Sequence, residues 1–124
     1  MSTHVHDFAT AAAVVAAQYP YPLTATTNGP AVSLPAGDGP CFAVQLVGDA
    51  PGDGTIDGAL QESDDGTTWT AIPGATFAQV PGSDTAEVIN FTRSARYVRW
   101  VGTLAGVSPQ FTVSVLIGQQ KKTI

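Results

Sequence analysis

The chain has 124 residues, enough for one domain that buries a core without disulfide or metal staples. With 44% apolar and only 12% charged residues it is excluded from the intrinsically disordered class. Ten acidic against five basic residues give a formal net charge of -5, which argues against nucleic-acid binding, because phosphate contacts need a basic surface.

Residues 1–22 differ in composition from the rest. An Ala-rich segment, Phe8 to Gln18, follows Asp7 and ends at Tyr19-Pro20-Tyr21-Pro22. Asp7 is placed to cap a short helix and Pro20 to stop it. A helix of about 11 residues is marginal alone in water. The stretch therefore reads as an N-terminal arm, a short helix or extended, either lying on a neighbouring subunit, with Phe8, Tyr19 and Tyr21 as candidate contacts, or forming a flexible tail. The run Ala11–Ala17 has the apolar character of a signal-peptide core, yet no Lys or Arg precedes it and Asp7 stands where a basic region belongs. Cytoplasmic synthesis is expected, and the run is too short to span a membrane.

From Leu23 onward the pattern is strand and turn, so residues 23–124 read as one sandwich domain. Asn28-Gly29 predicts a hairpin between Leu23–Thr27 and Ala31–Leu34. Pro35–Pro40 reads as a loop, and Phe42, Val44 and Leu46 alternate with Ala43, Gln45 and Val47 as in a strand with one better-buried face. Asp49–Gly54 turns into a strand from Thr55 to Ser63. Asp64-Asp65-Gly66 then turns into Thr67–Ile72, so 55–72 is a predicted hairpin. Short strands follow at Thr76–Val80, Ala86–Phe91, Arg96–Leu104 and Gln110–Ile117. In the last of these Phe111, Val113, Val115 and Ile117 share one face. Turns spaced in this way indicate an all-β single domain, a β-sandwich or jelly roll of about eight short strands.

Every acidic residue lies before position 93, and all five bases, Arg93, Arg96, Arg99, Lys121 and Lys122, lie from there on. Such a basic strip on an acidic body suits polar self-association or docking on another protein, which makes Arg93, Arg96 and Arg99 candidate contacts.

Residues able to carry chemistry are sparse. His4 and His6 sit in the arm without a third ligand of the right type nearby, and chain ends are commonly loose. Asp49, Asp53 and Asp57 are oxygen donors, but the segment lacks the twelve-residue calcium-loop pattern and its closing Glu, so they read as turn formers. Cys41, the single cysteine, falls in an apolar run and reads as a buried hydrophobe. No phosphate loop, cysteine pair or nucleophile elbow is present. No catalytic, cofactor or metal site is predicted, and the chain is not expected to be an enzyme.

Two segments carry a family resemblance. One runs Leu60-Gln61-Glu62-Ser63-Asp64-Asp65-Gly66-Thr67-Thr68-Trp69 and on to Ala75; the other runs Ser94-Ala95-Arg96-Tyr97-Val98-Arg99-Trp100 and on through Gly106 to Val115. The pair resembles small structural proteins of tailed phages and prophages, over roughly residues 23–122. That resemblance implies a β-sandwich virion protein, in the first place a capsid decoration or cement protein on the capsid surface. Its partner would be the major capsid protein, and it would itself be a homo-oligomer, dimer or trimer. A tail, neck or fibre-associated module is the alternative within the virion. The same motifs are also similar to discoidin-like carbohydrate-binding sandwiches, although the longer N-terminal framework of those domains is missing here.

The motifs also have a purely structural reading. Gly66 is free to take positive φ, and Asp64 or Asp65 can close the turn through its carboxylate. Trp69 offers an apolar face to the core, while Val98 and Trp100 form the core face of a strand whose other face carries Tyr97 and Arg99. Asp64, Asp65, Gly66, Trp69, Tyr97 and Trp100 are then fold signatures. Buried tryptophans would weaken the sugar-binding alternative; a solvent-facing aromatic beside Asp or Arg would favour it.

Overall fold

Short apolar stretches broken by Gly, Pro and Asp fold as strands and turns over the whole of what the computed structural model describes, residues 12–33 and 37–121. Nine strands lie among these residues: β1 (Ala12–Leu23), β2 (Thr27–Asn28), β3 (Val32–Ser33), β4 (Gly37–Val47), β5 (Thr55–Ser63), β6 (Thr70–Thr76), β7 (Thr85–Phe91), β8 (Tyr97–Ala105) and β9 (Phe111–Lys121). They form two antiparallel sheets. Sheet I has the order β1-β9-β4-β7, and sheet II the order β2-β8-β5-β6, with β3 also on β8.

With β2 and β3 taken together as one interrupted strand, the first strand pairs the last, the second the seventh, the third the sixth and the fourth the fifth. This is one long hairpin rolled up so that β4 meets β9 and β5 meets β8, the jelly-roll order. The expected all-β sandwich is therefore what forms. Its core draws on both sheets, with Ala43, Val47, Val113, Val115 and Ile117 from sheet I packed on Ile56, Leu60, Val98 and Trp100 from sheet II. The face expected for Phe111, Val113, Val115 and Ile117 is buried, as is the Val98 and Trp100 face.

The two sheets are also tied by a polar bridge. Trp100 Nε1 donates to Gln45 Oε1 at 3.0 Å across the core, and both residues are buried. The indole satisfies its N–H inside the apolar layer by this route. Gly58 and Gly102, paired across β5 and β8, leave the room it occupies: a Cβ on Gly58 would overlap the Gln45 amide oxygen, and one on Gly102 would overlap the Trp100 ring.

Several expectations need correction. The helix expected within Phe8–Gln18 is, from Ala12 on, a strand; β1 pairs β9 from Ala12 opposite Gln120 to Leu23 opposite Phe111. Among the described residues the sandwich thus includes Ala12–Leu23, which were expected to lie outside it. Tertiary pairing and the burial of Ala17 override alanine's helix propensity. Pro20 and Pro22 are tolerated because β1 is an edge strand and its bulges absorb the lost ladder bonds.

No hairpin forms at Asn28-Gly29. β2 and β3 instead lie one after the other along β8, with Asn28 opposite Val101 and Val32 opposite Val98. Gly29 N donates to Trp100 O at 2.7 Å, and a Cβ there would meet Ala17 O at 2.9 Å, so this glycine serves a close approach between strands, not a turn. The segment from Gly37, expected as loop, already belongs to β4. The strand after the 64–66 turn runs from Thr70 to Thr76, and the strand expected at Thr76–Val80 reduces to a single bridge from Val80 to Ile56.

Cys41 is buried, as expected, with Sγ 3.9 Å from Gln119 Oε1. Burial pushes its thiol pKa up, against the opposing pull of the Arg93 guanidinium. Since the thiolate is the reactive form, Cys41 is expected to resist an aromatic disulfide reagent at pH 8 in native protein and to react fully in denaturant. Rapid stoichiometric labelling of the native protein would contradict this placement.

Candidate interaction surfaces

The β5–β6 connection is built by its own side chains. Ser63 Oγ donates to Asp65 Oδ1 at 2.9 Å and accepts from Gly66 N at 2.9 Å. Asp65 Oδ1 in turn accepts from Thr67 N at 2.9 Å and Thr68 N at 3.0 Å, and Gly66 takes a φ of 79°. The expected Asx closure and positive-φ glycine are both present. Asp64 is exposed beside them.

Those backbone and hydroxyl donors hold the Asp65 carboxyl well below the usual carboxylate range. A folded pKa depressed below the unfolded one contributes stability at neutral pH, which is lost as pH falls through the unfolded value of about 3.9 and below. Asp65→Ala is therefore expected to lower the melting temperature at pH 7, with the gap to the unmodified protein closing between about pH 4 and pH 2. A gap that is constant over that range would rule out the carboxylate as its cause.

Beside this turn lies an open polar cleft of about 260 Å3, lined by Glu62, Asp64, Asp65, Thr68, Thr70 and Ser94 among others. Glu62 spans it to the β7–β8 loop: Oε1 accepts from Ser94 N at 2.8 Å and Ala95 N at 3.1 Å, and Oε2 accepts from Ser94 Oγ at 3.0 Å. Its lone pairs are engaged in fastening that loop, and sequence reasoning had not singled it out. Two further carboxylates work in the same way, Asp53 in the β4–β5 turn and Asp57, which was expected in a turn but lies on β5. Asp53 Oδ1 accepts from Ser108 N at 2.7 Å, and Asp57 Oδ2 accepts from Gln79 Nε2 at 3.0 Å.

The three arginines do not act as one strip. Arg93 is half-buried, donating from Nε to Gln119 Oε1 at 3.0 Å and from Nη1 to Ala95 O at 2.8 Å, so it clamps the β7–β8 loop onto β9. Arg96 is exposed, with its guanidinium 5.3 Å from the Tyr97 ring centroid and Nε 3.4 Å from Ser33 Oγ. Arg99 lies on the outer face of sheet II, donating to Gln61 Oε1 at 2.8 Å and stacking on Trp69 at 4.5 Å from the ring.

Trp69 is accordingly half-buried outside the sandwich, a correction to its expected place in the core. It precedes β6, at the end of the turn, where the ring is directed over the outer face beside Arg99. Trp100, by contrast, is 0% exposed. His4, His6 and Phe8 lie outside the described residues. Tyr19 and Tyr21 are β1 positions whose side chains also lie outside them, although Tyr21 is opposite Val113 in the ladder.

The outer face of sheet I presents a different chemistry. Val44, at its centre, lies between Val88 on β7 and Leu116 on β9; Leu46 lies between Ala86 and Ser114, and Phe42 between Asn90 and Gly118. Val88 is 59% exposed, Leu46 43% and Leu116 40%. Ala16 of β1 continues the Leu116 row. The central rows of this face, Phe42, Val44 and Leu46 with Ala86, Val88 and Asn90 on one side and Ser114, Leu116 and Gly118 on the other, carry no ionisable group. A contiguous apolar face of this kind marks an interaction site. Its signal was present in the sequence: Cys41–Val47 and Val113–Ile117 are apolar at most positions of both phases, the pattern of a strand covered on both sides.

Compared with known proteins, the chain matches no protein-family model, no curated protein and no solved structure. The class defined by its own geometry is a jelly-roll sandwich with one outer face whose central rows are apolar and uncharged and one polar, arginine-bearing outer face.

Proposed function

We propose that this protein is a non-enzymatic structural component of a tailed-phage virion, a decoration or cement protein that binds the assembled capsid shell in many copies and stabilises it. The observation that carries an assembling role is the uncovered apolar face of sheet I, where Val88, Leu46 and Leu116 stand in water in the isolated chain. The two sequence motifs resemble phage structural proteins and supply the virion context. A jelly roll suits this work as a rigid platform, but the same fold serves capsid proteins and lectins alike, so the fold does not select the function. Binding only to the assembled lattice would stabilise the shell by mass action, and many weak contacts would add by avidity. The test is mass-spectrometric counting of the protein in gradient-purified particles of the phage encoding it. A copy number equal to that of the major capsid protein, or a simple fraction of it, is expected. A handful of copies would move the protein to the tail or neck, and absence from the particle would refute the structural reading.

One observation favours a second reading, a carbohydrate-binding module: Trp69 lies over the outer face of sheet II, stacked on Arg99, which is itself bonded to Gln61. An aromatic plate flanked by planar polar groups is the chemistry that holds a sugar ring. Titration calorimetry with bacterial surface polysaccharides separates the readings. A saturable heat of binding that Trp69→Ala abolishes would favour the sugar site.

A further inference from the structure

We infer that the outer face of sheet I is the interface with a second copy of this chain, the two sheets packing face to face about a two-fold axis. The inference rests on the assembling role proposed above but not on the particle to which the protein belongs. It leaves the polar outer face of sheet II to meet other partners.

Charge is the first argument. The protein has a net charge of -5, so two copies repel wherever their charged surfaces meet. The sheet I face is where that repulsion is least, since its rows consist of Phe42, Val44, Leu46, Val88, Leu116 and Ala16 with neutral neighbours such as Asn90 and Ser114. A partner of basic character would be met instead by the acidic turns, where Asp49, Asp53, Asp64 and Asp84 stand exposed. An uncharged face on an acidic molecule fits a partner with that same face.

Size is the second argument. β4 pairs β7 from Cys41 to Val47, and the sheet is four strands wide. Strands about 4.8 Å apart, rising about 3.4 Å per residue, give a face of roughly 19 by 24 Å, or about 450 Å2 on each copy. Two such faces give about 900 Å2 in total, below the roughly 1,200 Å2 at which standard interfaces begin and within the range of weak, transient ones. That is enough for a reversible dimer and too little for an obligate one, so dimerisation is expected at tens of micromolar rather than at nanomolar concentration. Two-fold symmetry doubles every contact: a residue of the face meets the partner's face, and the partner's copy meets it in return.

The test is sedimentation equilibrium of the full chain from about 1 to 200 µM, a span chosen to bracket a micromolar dissociation constant. A monomer–dimer equilibrium is expected for the unmodified protein. Val88→Asp and Val88→Lys should each raise the dissociation constant by about 100-fold or more, since both place two unpaired charges in the apolar layer. The lysine variant lowers the net negative charge, so its failure to dimerise separates burial of charge from overall repulsion. Val107→Asp, on a 91% exposed residue of the β8–β9 loop, should leave the equilibrium unchanged. Near-ultraviolet circular dichroism and thermal melting report that each variant is folded, as the exposure of Val88 leads one to expect.

A monomer at 200 µM would overturn the inference, as would a trimer or a dimer indifferent to both Val88 variants. If that monomer still bound particles and Val88→Asp abolished the binding, the face would belong to the shell contact. Failure here is read from the mass in solution, whereas failure of the virion reading is read from the copy number in particles.

Discussion

Replacing Gly58 with alanine is expected to destabilise the protein by about 3–5 kcal/mol, from overpacking of the core together with loss of a buried hydrogen bond. The added Cβ would overlap the Gln45 side-chain oxygen and crowd Trp100 Nε1, the two atoms of the bridge between the sheets. Gln45 cannot swing into water, because it is itself buried between β7 and β9 on the core face of β4. The strand carrying Gly58 cannot retreat either, since β5 is held by β8 on one side and β6 on the other. Either the indole N–H loses its acceptor or the backbone of a central strand shifts. Domains of this size are stable by only about 5–15 kcal/mol, so the loss would be plain in urea unfolding at 25 °C. The same substitution in a Gln45→Ala background should cost clearly less than in the unmodified protein, because the obstructed atom is gone. Strict additivity of the two changes would show that the collision is not the cause.

Glu62→Ala has the next largest expected effect, a loss of about 2 kcal/mol after discounting for partial exposure. One carboxylate accepts from two consecutive backbone amides and a hydroxyl of the β7–β8 loop, a charge-assisted set that no neighbour replaces. The loop also carries Arg93 to its clamp on Gln119, so releasing one fastening loosens the other. Amide exchange at Ser94 and Ala95 should rise in the variant, while exchange at Trp100 in the centre of sheet II stays close to the global unfolding limit. Glu62→Gln keeps one acceptor oxygen and should lie between the two. If exchange at Ser94 and Ala95 is unchanged, some other contact holds the loop.

Much of this fold follows from local chemistry. Phe111, Val113, Val115 and Ile117 alternate with polar or less-buried residues, and Val98 and Trp100 alternate with Tyr97 and Arg99; both patterns named the core faces that form. Ser63, Asp65 and Gly66 made their turn legible because every bond in it joins residues no more than three apart. The all-β character and the single domain were likewise determined by the spacing of turn residues and by the length of the chain.

What required the tertiary structure is whatever depends on a distant partner. Alanines 12, 13, 16 and 17 favour a helix by propensity, and only β9 beside them, a hundred residues along the chain, makes them a strand. Asn28-Gly29 has the chemistry of a hairpin turn, but Trp100 O captures the Gly29 amide and draws both flanking pairs onto β8. Trp69 is apolar enough for the core, yet the turn before it sets the ring over Arg99 on the outside. The sheet I face belongs to the same category. An apolar row such as Val44, Val88 and Leu116 has the same sequence signature whether its cover comes from its own chain or from another molecule, and only the folded chain shows that its own residues leave the row in water.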